Sequence, residues 1–314
     1  MTTADTSVTA EDRPPRRVIY LCILGVFLLP HAPVRGELDV SEAALVGMVL
    51  DAMEANYNVI RTAELDVREE VRDAGVRQDS VHRFETPAGG TVEVIRRPVS
   101  RWMLHVTIDS EKVRIDRSEG DATKKPVGTF LLAGDECIHF VNGAQAAWIR
   151  RRGEMPGMLP LDPRQFGVDD IRRDIPRIFE EDDIVSAAIV RDDQGQTHVK
   201  IVTQSPKAGQ AVYEFSEAAS YLPTRRLTHW PDGSVLQVID VSYQEVGDGE
   251  ARFPRRLRQR FYSEGATRTP DDPDWRQQLT REVAGEIAVN HSIPEDVFQF
   301  QVPAGVRVSD NLRR

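Results

Sequence analysis

A chain of 314 residues, 40% apolar and 29% charged, has the make-up of a well-solvated folded protein with room for one large β domain or two ordinary ones. Its net charge of −10 and isoelectric point near 5.3 argue against a nucleic-acid partner, since phosphate binding needs a concentrated basic face. Its two cysteines, Cys22 and Cys137, exclude a disulfide framework once Cys22 leaves with an N-terminal signal.

The N-terminus differs in kind from the rest. Arg13, Arg16 and Arg17 precede the apolar run Val18–Leu29, which stops at Pro30. A basic stretch before so short an apolar run fits a secretory signal, and the run is short for a transmembrane helix. Ala32-Pro33-Val34-Arg35-Gly36 offers no clean small-residue cleavage site, so an uncleaved inner-membrane anchor stays open as the alternative. The expected organisation is residues 1–36 as signal peptide or anchor and residues 37–314 as one domain, periplasmic or secreted.

Ser41 reads as an N-cap with Glu42 in the first turn, and Leu45, Met48, Val49, Ala52 and Met53 recur at helical spacing. The spacing predicts a helix over about 41–57. After Asn58 the period changes to two. Ala63, Leu65, Val67 and Val71 share one face, while Thr62, Glu64, Asp66, Arg68, Glu70 and Arg72 share the other. That is a half-buried antiparallel strand with one wet face.

Further strands are expected at Val92 and Val94, Trp102–Ile108, Val113 and Ile115, Phe130–Leu132, Ile138–Val141, and Trp148 with Ile149. Turns punctuate them at Gly89-Gly90, Asp109-Ser110, Gly134-Asp135 and Asn142-Gly143. The middle breaks this pattern. Met155, Met158, Leu159 and Leu161 lie in a Pro- and Gly-rich loop, and Ile171, Ile175, Ile178 and Phe179 predict one or two short helices interrupted at Pro176. Strands resume at Ile184 and continue through Val199 and Ile201, Tyr213 and Phe215, Leu227 and Trp230, and Val235 to Val241. Leu257 with Phe261, Leu279 with Val283, Ile287 with Val289, and Phe298 with Phe300 complete the series.

Motifs for bond-making chemistry are absent from the sequence. Histidines 82, 105, 139, 198, 229 and 291 form no HExxH and no i, i+4 pair, and there is no GxSxG, CxxC, P-loop or GxGxxG. Cys137 and His139 fall on one strand face, a spacing open to a reactive thiol as well as to a buried structural cysteine. The pairs Asp182-Asp183, Asp192-Asp193 and Asp271-Asp272 read as solvated turns. Arg256, Arg258 and Arg260 line one strand face, either pairing across the sheet with Glu282 and Glu286 or offering a positive stripe to an anionic partner. No catalytic residue, metal or cofactor is expected.

The methionines carry the strongest binding signal, because Met adapts to irregular apolar surfaces. A loop with Met158 beside a helix bearing Met48 and Met53 reads either as a lid over an apolar cavity or as a plug of ordinary core.

Several segments together resemble the LolA-type lipoprotein-carrier family, which includes LppX-like and RseB-like domains. They are the export signal, the helix ending Met53-Glu54-Ala55-Asn56-Tyr57, the long alternating strand after it, and Leu222-Pro223-Thr224-Arg225 before a hairpin at Asp232-Gly233. The tail Ile293-Pro294-Glu295-Asp296-Val297-Phe298-Gln299-Phe300, running into Pro303-Ala304-Gly305-Val306-Arg307-Val308, completes the likeness. The resemblance implies an α+β, mainly β fold: a curved antiparallel sheet forming an unclosed barrel, covered by an N-terminal helix and a short helical insert. It also implies a non-enzymatic carrier of lipid or acylated lipoprotein, with envelope membrane proteins as further partners. Trp102, Leu104, Val106, Phe298 and Phe300 would line the sheet, with Met48, Met53, Met158 and Phe179 over it. The alternative is a non-catalytic envelope sensor or interaction domain with a filled core.

Overall fold

The period-two pattern resolves into one very large sheet. The computed structural model describes residues 40–85, 91–110, 112–120, 126–134, 136–142, 145–151, 175–205 and 209–310. Helix α1 (Val40–Val59) leads into β1 (Thr62–Asp73), β2 (Ser80–Glu85), β3 (Thr91–Arg96), β4 (Val99–Asp109), β5 (Lys112–Glu119), β6 (Gly128–Ala133), β7 (Glu136–Val141) and β8 (Ala146–Arg151). Helix α2 (Ile175–Glu181) precedes β9 (Asp183–Arg191), β10 (Thr197–Ser205), β11 (Gly209–Ser216), β12 (Leu222–His229), β13 (Val235–Val246) and β14 (Ala251–Phe261). Then come β15 (Gln277–Val283), β16 (Ala288–Val289) and β17 (Arg307–Asp310).

Among the described residues, 15 strands form one sheet in the order β17-β8-β7-β6-β5-β4-β1-β15-β14-β13-β12-β11-β10-β9, with β16 beside β1. The sheet is unclosed, ending at β17 and β9. Most neighbours are sequential hairpins, as the turn residues dictate. The long-range join is β1, which lies between β4 and β15 and stitches the two meanders together. β17 runs parallel to β8, and β2 pairs with β3 apart from the main sheet.

Alternation puts one apolar row per strand on the inner face. Ala63, Leu65 and Val67 of β1, Leu104, Val106 and Ile108 of β4, and Val113 and Ile115 of β5 join Phe130, Leu132 and Cys137 there. Val199, Ile201, Tyr213, Phe215, Ile239, Phe253 and Leu257 continue the same cluster across the other half. Helix α1 packs mainly on β9 and also touches β10, β12 and β14. Val49 is its fully buried residue, while Leu45, Val46, Met48, Leu50 and Met53 are half-buried. The helix is a cover laid on the sheet. It begins at Val40, so Ser41 falls within the first turn and is not the N-cap. Glu42 instead turns outward to the open edge, where its Oε1 accepts from the Ala187 backbone N–H at 3.3 Å. That bond shields part of an edge strand that would otherwise template pairing with another chain.

Pro176 is the second described residue of α2. Ile175, Ile178 and Phe179 are buried against the sheet, with Phe179 edge-on to Tyr213 at 5.3 Å and to Phe215 at 6.3 Å.

Two asparagines lock α1 in place. The Asn56 side chain donates to the Arg252 carbonyl at 2.9 Å and accepts from the Arg252 N–H at 2.7 Å, matching the backbone of β14 as a strand would. Asn290, with φ of 56°, accepts from Arg61 N–H at 3.0 Å and donates to the Val59 carbonyl at 2.9 Å across the α1–β1 corner. Asn290→Ala should lower stability by about 1–2 kcal/mol, two modest hydrogen bonds. A shift in the urea midpoint checks this, and an unchanged midpoint would show that water replaces the clamp.

The tail departs from the strand expected at Phe298 and Phe300. Pro294 cannot feed a ladder, and the Val297 and Gln299 N–H groups close back onto Pro294 and Asp296, making a 3-10 turn over Glu295–Phe298. This turn lies on the outer face. Arg114, whose side chain points away from its core neighbours Val113 and Ile115, donates to the Val297 carbonyl at 2.8 Å. Phe300 packs on Phe140 at 5.3 Å, and Phe140 alternates with the core residues of β7.

Candidate ligand-binding face

The inner face is where the expected lining residues converge. Leu104 and Val106 are core members at 4% and 1% exposure, and Phe179 belongs to the same cluster. Trp102, Met48 and Met53 are half-buried against it. Phe298 and Phe300 do not line this face, because the 3-10 turn folds them over the outer side of β5–β7. Met158 lies outside the described residues, as do the rest of its loop and residues 1–36. No helix of the described residues is long and apolar enough to cross a membrane.

One end of the inner face is charged. Glu69 sits on β1 in the same alternation as Leu65 and Val67, opposite Arg281 on β15 and Trp102 on β4. Arg281 donates from Nε at 2.9 Å and Nη2 at 2.8 Å to Glu69 Oε2, and Arg117 of β5 donates from Nη2 at 3.0 Å to Oε1. Glu69 and Arg281 are both buried. The Arg117 guanidinium stacks over Trp102 at 4.0 Å. Trp148 and His139 pair across β7 and β8 with ring centroids 5.5 Å apart, in the register row of Phe130, Ile115 and Val106. Arg150 faces Cys137 on the same sheet face one pair further along, in the row of Leu132 and Val113.

Burial alone would push the Glu69 carboxyl up, but the Arg281 and Arg117 guanidiniums outweigh it and hold the group below its ordinary range. His139 is held down, first by burial and then by Arg117 and Arg150 nearby. Both shifts have the same sign for stability. The unfolded chain takes up each proton at a higher pH than the folded state, so stability is lost on acidification. The His139 loss starts as pH falls through 6.5, its ordinary value, and the Glu69 loss as pH falls through 4.5. Between about pH 7.5 and about pH 5.5, His139→Gln should therefore lose less stability than the wild type in urea titrations. Equal losses in both proteins would count against a proton-refusing His139.

This charged row is what the sequence reading passed over, and the signal was in the alternation. Glu69 follows Leu65 and Val67, Arg117 follows Val113 and Ile115, and Arg281 sits between Leu279 and Val283. Each is a charge in an apolar position, and the register brings the three together.

Other expectations are corrected or located on the outer face. Arg256 stands opposite Glu282 in the β14–β15 register as expected, but Arg258 and Arg260 pair with Asp240 at 3.0 and 3.1 Å, and Arg260 also with Asp271 at 3.3 Å, not with Glu282 and Glu286. Asp240, on β13 beside β14, is nearer the arginine tips than the expected glutamates. His105 lies between Asp66 and Glu64 on the wet side of β1. Among the described residues no three His, Cys, Asp or Glu side chains gather as a metal group. A cleft of about 420 Å³ opens at the ends of β10–β13, beside Gln204, Gln210, His229 and Trp230. Its lining is largely polar, and it is separate from the apolar cluster.

No family model and no curated protein matches the chain. Solved structures do. A DUF1329 family protein from Desulfovibrio piger superposes with a TM-score of 0.50 at 6% identity, over 82% of this chain and 96% of that one. What is shared is the fold. A LolA superfamily protein from Nitrosomonas europaea aligns at a TM-score of 0.46 and 9% identity, over 81% of this chain and 98% of that one. An outer membrane lipoprotein-sorting protein domain from Vibrio parahaemolyticus aligns at 0.49 and 9%, over 82% and 96%.

Proposed function

We propose that the chain is an exported carrier that holds the acyl chains of a lipid or acylated lipoprotein against the inner face of its unclosed sheet. The observation that carries this reading is the continuous apolar cluster running from Ala187 on β9 to Cys137 on β7, with helices rather than a second sheet among its cover. Apolar burial yields about 25 cal/mol per Å² and is non-directional, so a ligand gained by opening the cover can be released the same way. Helix α2 docks through Ile178 and Phe179, and displacing it breaks no ladder hydrogen bond. Met48 and Met53 on α1 supply the adaptable surface. In this reading residues 18–29 serve as export signal or inner-membrane anchor, and the protein works by binding, not catalysis.

Delipidated protein should take up a fluorescent fatty acid saturably at micromolar concentration, with a blue-shifted emission. Absence of any saturable uptake would defeat the carrier reading.

A second reading has one observation behind it: Val49, Ile175 and Ile178 are all fully buried, as in a filled core. The domain would then be an envelope sensor or interaction module. Native mass spectrometry of protein from its own envelope separates the two. A bound lipid mass supports the carrier, and a lipid-free chain with a co-purified protein supports the module.

A further inference from the structure

The sheet ends on a strand whose edge is only partly protected. Among the described residues β9 is the last strand of the order and pairs on one side, with β10. Two hydrogen bonds show which way its backbone points. Asp192 N–H donates back to the Gln196 carbonyl at 3.0 Å inside the β9–β10 hairpin, whereas Ala187 N–H donates outward to Glu42. Backbone groups of an antiparallel strand alternate sides, so those of Ala187, Ile189 and Arg191 face away from β10. Glu42 occupies the first of these. Before Ala187 the register shifts and leaves Val185 without an opposite residue, a bulge of the kind that turns an edge away. After Ala187, the outward groups of Ile189 and Arg191 meet no strand among the described residues.

This bare end is apolar, and acids flank it. Residues 188–191 are all exposed. Ile189 is 60% exposed, Val190 37% and Val185 55%, so β9 holds three of the six exposed large apolar side chains among the described residues. Ile189 carries the inner-face row outward from Val199, and Val190 lies on the other face, opposite His198. β9 has no Lys and no Pro, the residues that commonly block an edge. Glu180, Glu181, Asp182 and Asp183 stand before its apolar residues and Asp192 and Asp193 after them, against the two bases Arg177 and Arg191. These charges decide what fits. Antiparallel pairing of two β9 strands would lay residues 180–183 of one copy against Asp192 and Asp193 of the other, acid on acid. The net charge of −10 on each chain adds to that repulsion. An extended apolar segment with basic ends meets attraction at both ends instead.

We propose that residues 187–191 of β9 accept a partner protein's extended segment as an added strand, apolar at alternate positions and basic at both ends. Its backbone pairs with the outward groups of Ile189 and Arg191, which gives affinity, and an apolar side chain beside Ile189 gives selectivity. Glu42 holds the place that a partner carbonyl takes at Ala187 N–H, so full engagement exchanges one acceptor for another. The site lies at the sheet edge and is independent of whether the inner face carries a lipid.

The probe is a fluorescent peptide of alternating valine and threonine with lysines at both ends, titrated into the full chain. Its counterpart carries glutamates at the ends. The lysine-flanked peptide is expected to bind saturably and at least about tenfold more tightly, with the preference shrinking as salt rises. Hydrogen exchange should slow across residues 187–191 when it binds. Ile189→Lys, at a side chain that faces solvent, should weaken binding at least about tenfold, and Ile189→Thr should weaken it less. Thermal melting reports whether each variant folds, and the wild-type exchange pattern decides the matter even if a variant does not. No saturable binding, equal affinity for the two peptides, or slowed exchange only elsewhere in the sheet would each overturn the proposal. Dimerisation of the chain by itself, with slowed exchange at residues 187–191, would assign the edge to a second copy and overturn it too.

Discussion

Glu69→Ala should destabilise the protein by about 3–5 kcal/mol, the range for breaking a buried ion pair by removing one partner. The cost arises from what is left behind. Arg281 is almost wholly buried and loses the acceptor of two N–H groups. Arg117, at 41% exposure, can recover part of its solvation, so the larger share falls on Arg281. Glu69→Gln should cost less, because the amide oxygen still accepts. Replacing Glu69 with Leu and Arg281 with Met together should cost less than Glu69→Ala alone, since the almost wholly buried Arg281 charge leaves with its partner and only the part-exposed Arg117 stays unpaired. Urea unfolding of the three proteins checks the ordering. A Glu69→Ala loss below about 1 kcal/mol would mean that the triad is hydrated and not a buried network.

Phe215→Ala should cost about 3–5 kcal/mol, from lost transfer energy and the cavity left behind. Phe215 is fully buried on β11, faces Val199 across the ladder, and meets Phe179 of α2 edge-on at 6.3 Å. Its loss should also loosen α2, which among the described residues then keeps Tyr213 as the aromatic contact for Phe179. Faster limited proteolysis around residues 175–181, at a denaturant concentration where the fold survives, would register that loosening. Phe215→Leu should lose much less, because most of the volume stays. A small loss for Phe215→Ala would mean that α2 settles into the gap.

Strand existence was legible where turn chemistry and alternation agreed. The β1, β4 and β10–β15 segments fall where Val, Ile and Leu alternate with polar residues between Asp-Gly or Asp-Ser turns. Legibility failed at the tail. Phe298 and Phe300 alternate as a strand would, yet Pro294 starts a 3-10 turn and carries them to the outer face. The inner face was half legible. Leu104, Val106, Phe179, Met48 and Met53 meet in one cluster as expected, but the charges beside them were not foreseen. A charged residue at an apolar position looks like noise until register supplies its partner.

The sequence by itself determined the kind of protein this is: a chain of antiparallel strands with one apolar face, one covering helix and no catalytic motif. That much follows from local rules, because period-two alternation and turn residues act within a few positions. Tertiary structure alone decided what the inner face offers. Glu69, Arg117 and Arg281 are separated by 48 and 212 residues along the chain. They meet only because β1 inserts between β4 and β15, bringing β5 and β15 to either side of it. Long-range pairing of that kind is set by the packing of whole strands, which no local pattern encodes.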